Sequence, residues 1–174
     1  MPSAIVPVLC SRRWNIPVLA HLAAGDGETF GAIRDALSVC RDSLTRTLRG
    51  LEDPGWVITR GRLYGLTEPG RRVAAPSAGI LETARAQDLE AVWLRKWPLV
   101  IADSLHGWSL GFAELRAMVG GISPRALTLA LKDMAGAGLV EREVIGGFPP
   151  STSYRLTERG EAFLPYLEEL ADPE

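Results

Sequence analysis

Long apolar runs are missing from this chain of 174 residues, and none reaches the ~18 to 20 residues that a membrane-spanning helix requires. The start, MPSAIVPVLCSRRW, has no basic region, long apolar core or cleavage site of a signal peptide, so the expected compartment is the cytoplasm. Cysteine is scarce. Cys10 and Cys40 have neither CxxC spacing nor enough partners for a disulfide framework or a four-ligand zinc site, which leaves reduced thiols. His21 and His106 stand alone, without metal-ligand spacing. Catalytic signatures are equally thin. GDGETFG (25–31) has the wrong glycine spacing for a dinucleotide fingerprint, and AGAGLV follows a helix and precedes a strand, the reverse of a phosphate-binding order. No lysine completes a P-loop, and no His, Asp and Ser or Cys set clusters. The expectation is a protein that is not an enzyme and needs no cofactor or metal.

A basic balance, the usual footprint of a nucleic-acid binder, is lacking too, since 19 Lys and Arg face 21 Asp and Glu for a net charge of −2. The distribution alters that reading. Residues 1–75 hold ten basic and seven acidic side chains, while residues 76–174 hold nine and fourteen. Within 93–167 the two nearly balance, at eight and seven, so the acid collects in Glu82, Asp88 and Glu90 and in Glu168, Glu169, Asp172 and Glu174. Basic patches are compatible with an acidic total.

What the chain does contain is a repeat. RRWNIPVLAHL…SLTRTLRGLEDPGWV…YGLTEPG returns as RKWPLVIADSL…ALTLALKDMAGAGLV…YRLTERG, with Trp14 answering Trp97 and Gly55 answering Gly138. In the second copy, 93–106 reads as a buried helix, and FAELRAMV (112–119) carries Phe112, Leu115 and Val119 at helical spacing. Ser123-Pro124 then reads as an N-cap and first helical position, with Leu127, Leu131 and Met134 inward and Arg125, Thr128, Leu129 and Lys132 outward. The helix stops at Gly136-Ala137-Gly138. LVEREVI and SYRL follow as strands around GGFPPSTS, and Thr157 caps another helix. The first copy has the same order, with Val39 matching Ile122, Leu44, Leu48 and Leu51 as its buried stripe, and a shorter hairpin after Trp56. The fold class this predicts is mainly α with small β-hairpin wings (α+β). It places a first winged-helix domain at 1–75, a connecting helix at 76–92 and a second winged-helix domain with a C-terminal helix at 93–174.

The second copy resembles the HxlR-type winged helix-turn-helix transcriptional regulators. The likeness rests on Arg95-Lys96-Trp97, Phe112 to Arg116, Gly121 to Thr128, Gly138 to Arg142, Pro149-Pro150 and Tyr154 to Gly160, in that order, with Pro165 in FLPYLEEL. The first copy keeps Trp14, Phe30, Leu44-Thr45 and Tyr64 to Gly70, but has Cys40 for the capping serine and Asp42 for the arginine. The resemblance implies a regulator that binds double-stranded DNA.

A helix in the major groove must be held by its apolar face and offer donors on the other, arginine to guanine and threonine to a base edge or thymine methyl. The second copy offers Ser123, Arg125, Thr128 and Lys132, and the first offers Arg41, Thr45, Arg46 and Arg49. Wing contacts to phosphate or the minor groove fall to Arg60 and Arg62 in one copy and to Ser151, Thr152 and Arg155 in the other. Leu129 reads either as a thymine-methyl contact or as packing. Trp14, Trp56, Trp93, Trp97 and Trp108 read mainly as core, with Trp93 and Trp108 as an alternative cavity lining between the units. Cys40, at the start of the first recognition helix, reads as a small buried cysteine, against a redox alternative.

The duplication predicts that one chain forms a dimer-like pair within itself, a monomeric pseudodimer rather than an obligate homodimer. Leu81, Ala84, Leu89 and Val92 of the connector and Phe163, Tyr166, Leu167 and Leu170 supply its packing faces. Two other classes stay open: a tandem winged-helix adaptor that binds protein, and a regulator that answers an unidentified effector. No membrane partner is expected.

Overall fold

The computed structural model describes residues 3–146 and 151–171. Pro149 and Pro150, and the terminal acids Asp172 and Glu174, lie outside the described residues. The first half runs α1 (Ile5–Leu9), α2 (Asn15–Leu22), β1 (Glu28–Thr29), α3 (Phe30–Leu37), α4 (Arg41–Glu52), β2 (Val57–Arg60), β3 (Leu63–Leu66) and α5 (Glu68–Ala86). The second runs α6 (Glu90–Trp93), α7 (Pro98–Leu105), β4 (Leu110–Gly111), α8 (Phe112–Val119), α9 (Pro124–Gly136), β5 (Val140–Ile145), β6 (Ser151–Leu156), α10 (Glu158–Glu161) and α11 (Leu164–Ala171). Each half folds a three-stranded antiparallel sheet with the same topology, β1-β3-β2 and β4-β6-β5, in which Glu28 pairs with Tyr64 and Leu110 with Tyr154. Among the described residues no helix is long and apolar enough to cross a membrane.

The shared motif threonine, two residues, glycine has a physical cause that recurs in both halves. Thr67 Oγ1 accepts from the Gly70 N–H at 3.0 Å and donates to the Gly55 carbonyl at 2.5 Å. Thr157 Oγ1 does the same with Gly160, at 3.2 Å, and Gly138, at 2.6 Å. Each threonine thus caps the helix after the wing and ties it to the turn that ends the helix before the wing. The glycine is needed for close approach, because a Cβ on Gly70 would lie 1.8 Å from the Trp56 carbonyl oxygen and one on Gly160 would lie 2.2 Å from that of Leu139. Gly55 and Gly138, at φ 75° and 70°, supply the left-handed residue that closes α4 and α9.

Two helices differ from the sequence expectation. The connecting helix expected over 76–92 begins earlier, at its Thr67 cap, and ends at Ala86, where Asp88 turns left-handed at φ 56° and the Leu89 N–H returns to the Ala84 carbonyl at 2.8 Å. The helix expected over 93–106 is split. Pro98 lacks an N–H to return to an earlier carbonyl, so α7 starts afresh with Pro98 in its first turn.

The halves share one continuous apolar core. α5 packs on α2 of its own half and on α11 of the other, where Gly79 admits the Tyr166 ring: a Cβ there would sit 2.1 Å from Cε1. Thr83 Oγ1 lies 3.3 Å from the Tyr166 hydroxyl. α1 crosses to α7 and α11, with the Ser3 N–H donating to Asp103 Oδ2 at 2.8 Å and the Ser3 hydroxyl to the Leu170 carbonyl at 3.0 Å. Burial raises the Asp103 carboxyl above its usual range.

Candidate nucleic-acid interface

In each half the helix that precedes the wing, α4 or α9, stands with one face in the core and the other in solvent. On α9, Leu127, Ala130, Leu131 and Met134 are buried, while Ser123, Arg125, Thr128 and Lys132 are exposed. On α4, Leu44, Thr47, Leu48 and Leu51 are buried, Arg41, Arg46 and Arg49 are exposed, and Thr45 is half-buried. Buried Val39 and Ile122 stand just before the two N-caps, with buried Leu44 and Leu127 one turn into the helices, the placement of a hydrophobic staple.

The two helix starts are chemically different. Ser123 Oγ accepts from the Ala126 N–H at 3.2 Å, satisfying one of the free donors of the first turn. Cys40 makes no side-chain cap, and its thiol instead lies 3.1 Å from the Ser43 hydroxyl. Hydrogen bonding to Ser43, first through the side chain and then the backbone, lowers the Cys40 pKa from the usual thiol value. The expectation of a buried Cys40 is therefore corrected: the N-cap opens α4 on the solvent side and the residue is exposed. The buried cysteine is Cys10, whose thiol burial pushes up to about 12.

The hydroxyls of Thr45 and Thr128 donate to the carbonyls of Arg41 and Pro124, both at 2.9 Å. Arg46 Nε donates to the Asp42 carbonyl at 3.2 Å and keeps its terminal nitrogens available. Leu129 is 51% exposed, so the packing alternative falls away. Arg60 ends β2 and Arg62 sits in the two-residue turn after Gly61, at φ 64°; both are exposed. Arg155 is less available than its sequence context suggested, because its Nε donates to Glu141, its cross-strand partner, at 2.8 Å. Exposed pairs of this kind contribute about 0–1 kcal/mol, so a phosphate can displace the glutamate. On the same wing Thr152 is half-buried and accepts from Arg142 Nη2 at 3.3 Å, and Ser151 is exposed.

The tryptophans divide more sharply than expected. Trp93 is fully buried with its ring 3.8 Å from that of Phe163, Trp56 is buried, and Trp14 and Trp97 are half-buried under Arg13 and Lys96, 5.8 and 4.4 Å from their ring centres. Trp108 is no core residue. It is 67% exposed, on a groove formed by α7, α8 and α11, because the short loop after α7 leaves no element to cover it. Sequence reasoning missed Arg12 and Arg13, which the α1–α2 turn brings beside α4; their position directly before Trp14 was the available signal.

Helices α2, α3 and α4 before the β2–β3 hairpin, and α7, α8 and α9 before the β5–β6 hairpin, make this a winged helix-turn-helix fold. Residues 93–173 match the HxlR-like helix-turn-helix family, and residues 7–88 match a different description, the HVO_A0261 N-terminal domain. An uncharacterized HTH-type transcriptional regulator of Methanothermobacter thermautotrophicus is 34% identical over 77 residues, 44% of this chain and 59% of that one. Another from Halalkalibacterium halodurans is 36% identical over 78 residues, 44% of this chain and 69% of that one. Among solved structures, a MarR-family transcriptional regulator of Porphyromonas gingivalis W83 matches at TM-score 0.46 and 30% identity over 49% of this chain and 84% of that one. The reduced form of YodB from B. subtilis matches at 0.45 and 26% over the same shares. The chain belongs to the HxlR-like helix-turn-helix family, and spans 59% of the Methanothermobacter relative's length.

Proposed function

We propose that this protein is a sequence-specific regulator of transcription that binds double-stranded DNA in the cytoplasm. The observation that carries the reading is the face of α9: Arg125, Thr128 and Lys132 exposed on a helix held by a buried stripe and a serine cap, within the half that matches the family. The curated relatives' names, HTH-type transcriptional regulators, support it. In this reading Arg125 and Thr128 reach base edges, Ser123 and Lys132 meet flanking phosphate, and Arg155 contributes from the wing.

The first half acts as a second, non-identical reader through Arg41, Thr45, Arg46 and Arg49 of α4, with Arg60 and Arg62 on the shorter wing. Packing of α5 on α11, and of α1 on α7 and α11, supports a single chain that works as an intramolecular pseudodimer. The proposed division, a first unit to residue 75, a connector over 76–92 and a second unit from 93, puts its first boundary inside α5 and its second at the end of α6. Because the two recognition faces differ, the favoured site is asymmetric rather than palindromic.

The test is selection of bound fragments from random DNA, followed by titration of the selected duplex. One chain per duplex and a non-palindromic site are expected, with Arg125→Ala weakening binding by about 1–3 kcal/mol and relaxing preference at one base pair. Absence of duplex binding at low salt sinks the reading, and two chains on one short site sinks the pseudodimer.

A further inference from the structure

Aligning the halves on Trp14 with Trp97, Leu44 with Leu127 and Gly55 with Gly138 brings one exchange into view. Arg95 of the second half is salt-bridged to Asp133 of α9. The corresponding pair in the first half is Arg12 and Gly50. The Arg12 side chain lies along the same place on α4, and a Cβ on Gly50 would be 3.0 Å from its Nε, but the carboxylate is gone. Around it, Leu94, Ala126, Leu129 and Ala130 of the second half are replaced by Ser11, Ser43, Arg46 and Thr47. The result is an open cleft between the α1–α2 turn and α4, lined by Arg12, Arg13, Arg46 and these hydroxyl-bearing residues, with no acidic side chain among the lining residues. Among the described residues none of the three arginines has a carboxylate within ion-pairing distance.

We propose that this cleft is an anion site of the first half alone, and that its occupant is a backbone phosphate of the DNA duplex beside the groove entered by α4. The inference rests on the DNA-binding reading. Three guanidiniums and the Ser43 hydroxyl can surround a phosphodiester, and arginine favours it through paired N–H donors. The counterpart in the second half is the weaker site, because a phosphate there must first displace Asp133 from Arg95 and the residue in the place of Arg46 is Leu129. The cleft therefore supplies affinity that is indifferent to sequence, while α9 contributes relatively more base readout.

The experiment measures affinity of the full chain for one duplex across a salt series, with circular dichroism as the check on folding. Gly50→Asp installs the carboxylate that the second half already has, and Arg12→Ala removes the cation. Both are expected to flatten the slope of log affinity against log salt by about 1 and to weaken all duplexes by a similar factor, about threefold or more near 0.1 M salt. Asp133→Gly, which frees Arg95, is expected to steepen the slope, and Arg95→Ala to change it less than Arg12→Ala does. A folded Gly50→Asp and Arg12→Ala with wild-type slope and affinity overturn the cleft while leaving the DNA reading intact. A wild-type chain that binds no duplex at low salt overturns both.

Discussion

α4 and α9 hold the same station in their halves, yet they are fastened differently. α9 begins at a serine that caps it and is tied to the turn before α7 through Arg95 and Asp133. α4 begins at an uncapped thiol and leaves Arg12 without a carboxylate. The cores diverge in the same sense: where the second half stacks Trp93 on Phe163, the register of the repeat puts Cys10 and Val73 in the first, all four buried. One scaffold thus carries a half with a larger aromatic core and a satisfied helix start, and a half with a lighter core and more unpaired positive charge. Interactions that would steady α4 have been given up in exchange for cations facing solvent.

The core contrast predicts the largest effects. Phe163→Ala removes a fully buried ring and is expected to cost about 3–5 kcal/mol, whereas Val73→Ala, losing two methyl groups, is expected to cost about 1.5–2.5 kcal/mol. Urea midpoints of the two full-length variants decide it. Equal losses would break the claim that the second half is the more heavily anchored one, and a separate early transition for either variant would show that the shared core does not couple the halves.

Much of this was legible in the sequence, because the repeat presents each structural signal twice. Helical spacing located α8 to the residue and the Ser-Pro start located α9, since capping and proline geometry are local and act within a few residues. Thr157 marked α10 for the same reason, whereas the matching Thr67 start of α5 went unread and the connector was expected only from residue 76. What stayed hidden depends on contacts between segments distant in the chain. Trp93 and Trp108 look alike in sequence, and only tertiary packing separates them, with Trp93 set against Phe163 and Trp108 left on the uncovered loop after α7. The pairing of Arg155 with Glu141 follows from strand register across the wing, and the freedom of Arg12 from a glycine thirty-eight residues away. The candidate base contacts were readable from the exposed stripe of each helix; the cleft beside Arg12 was not.

Smaller predictions sharpen the contrast between helix starts. Ser123→Ala should destabilise the protein by about 1 kcal/mol, while Cys40→Ser, which supplies the missing cap at the Ser43 N–H, should stabilise it by about 0.5–1 kcal/mol. Opposite signs are the expected outcome, and a Cys40→Ser variant no more stable than wild type would show that the thiol already satisfies that turn. The same thiol gives the subtlest readout. With its pKa lowered and its side chain exposed, Cys40 carries more thiolate at neutral pH than an ordinary cysteine, whereas Cys10, buried and pushed up to about 12, carries almost none. Alkylation by iodoacetamide followed by peptide mass mapping should therefore label Cys40 first, with a rate that rises with pH and begins to level off below the usual thiol pKa. Cys10 should react only as fast as the chain unfolds. Labelling of both at one rate in the folded protein would remove the distinction between a solvent-facing start of α4 and a sealed core beneath it.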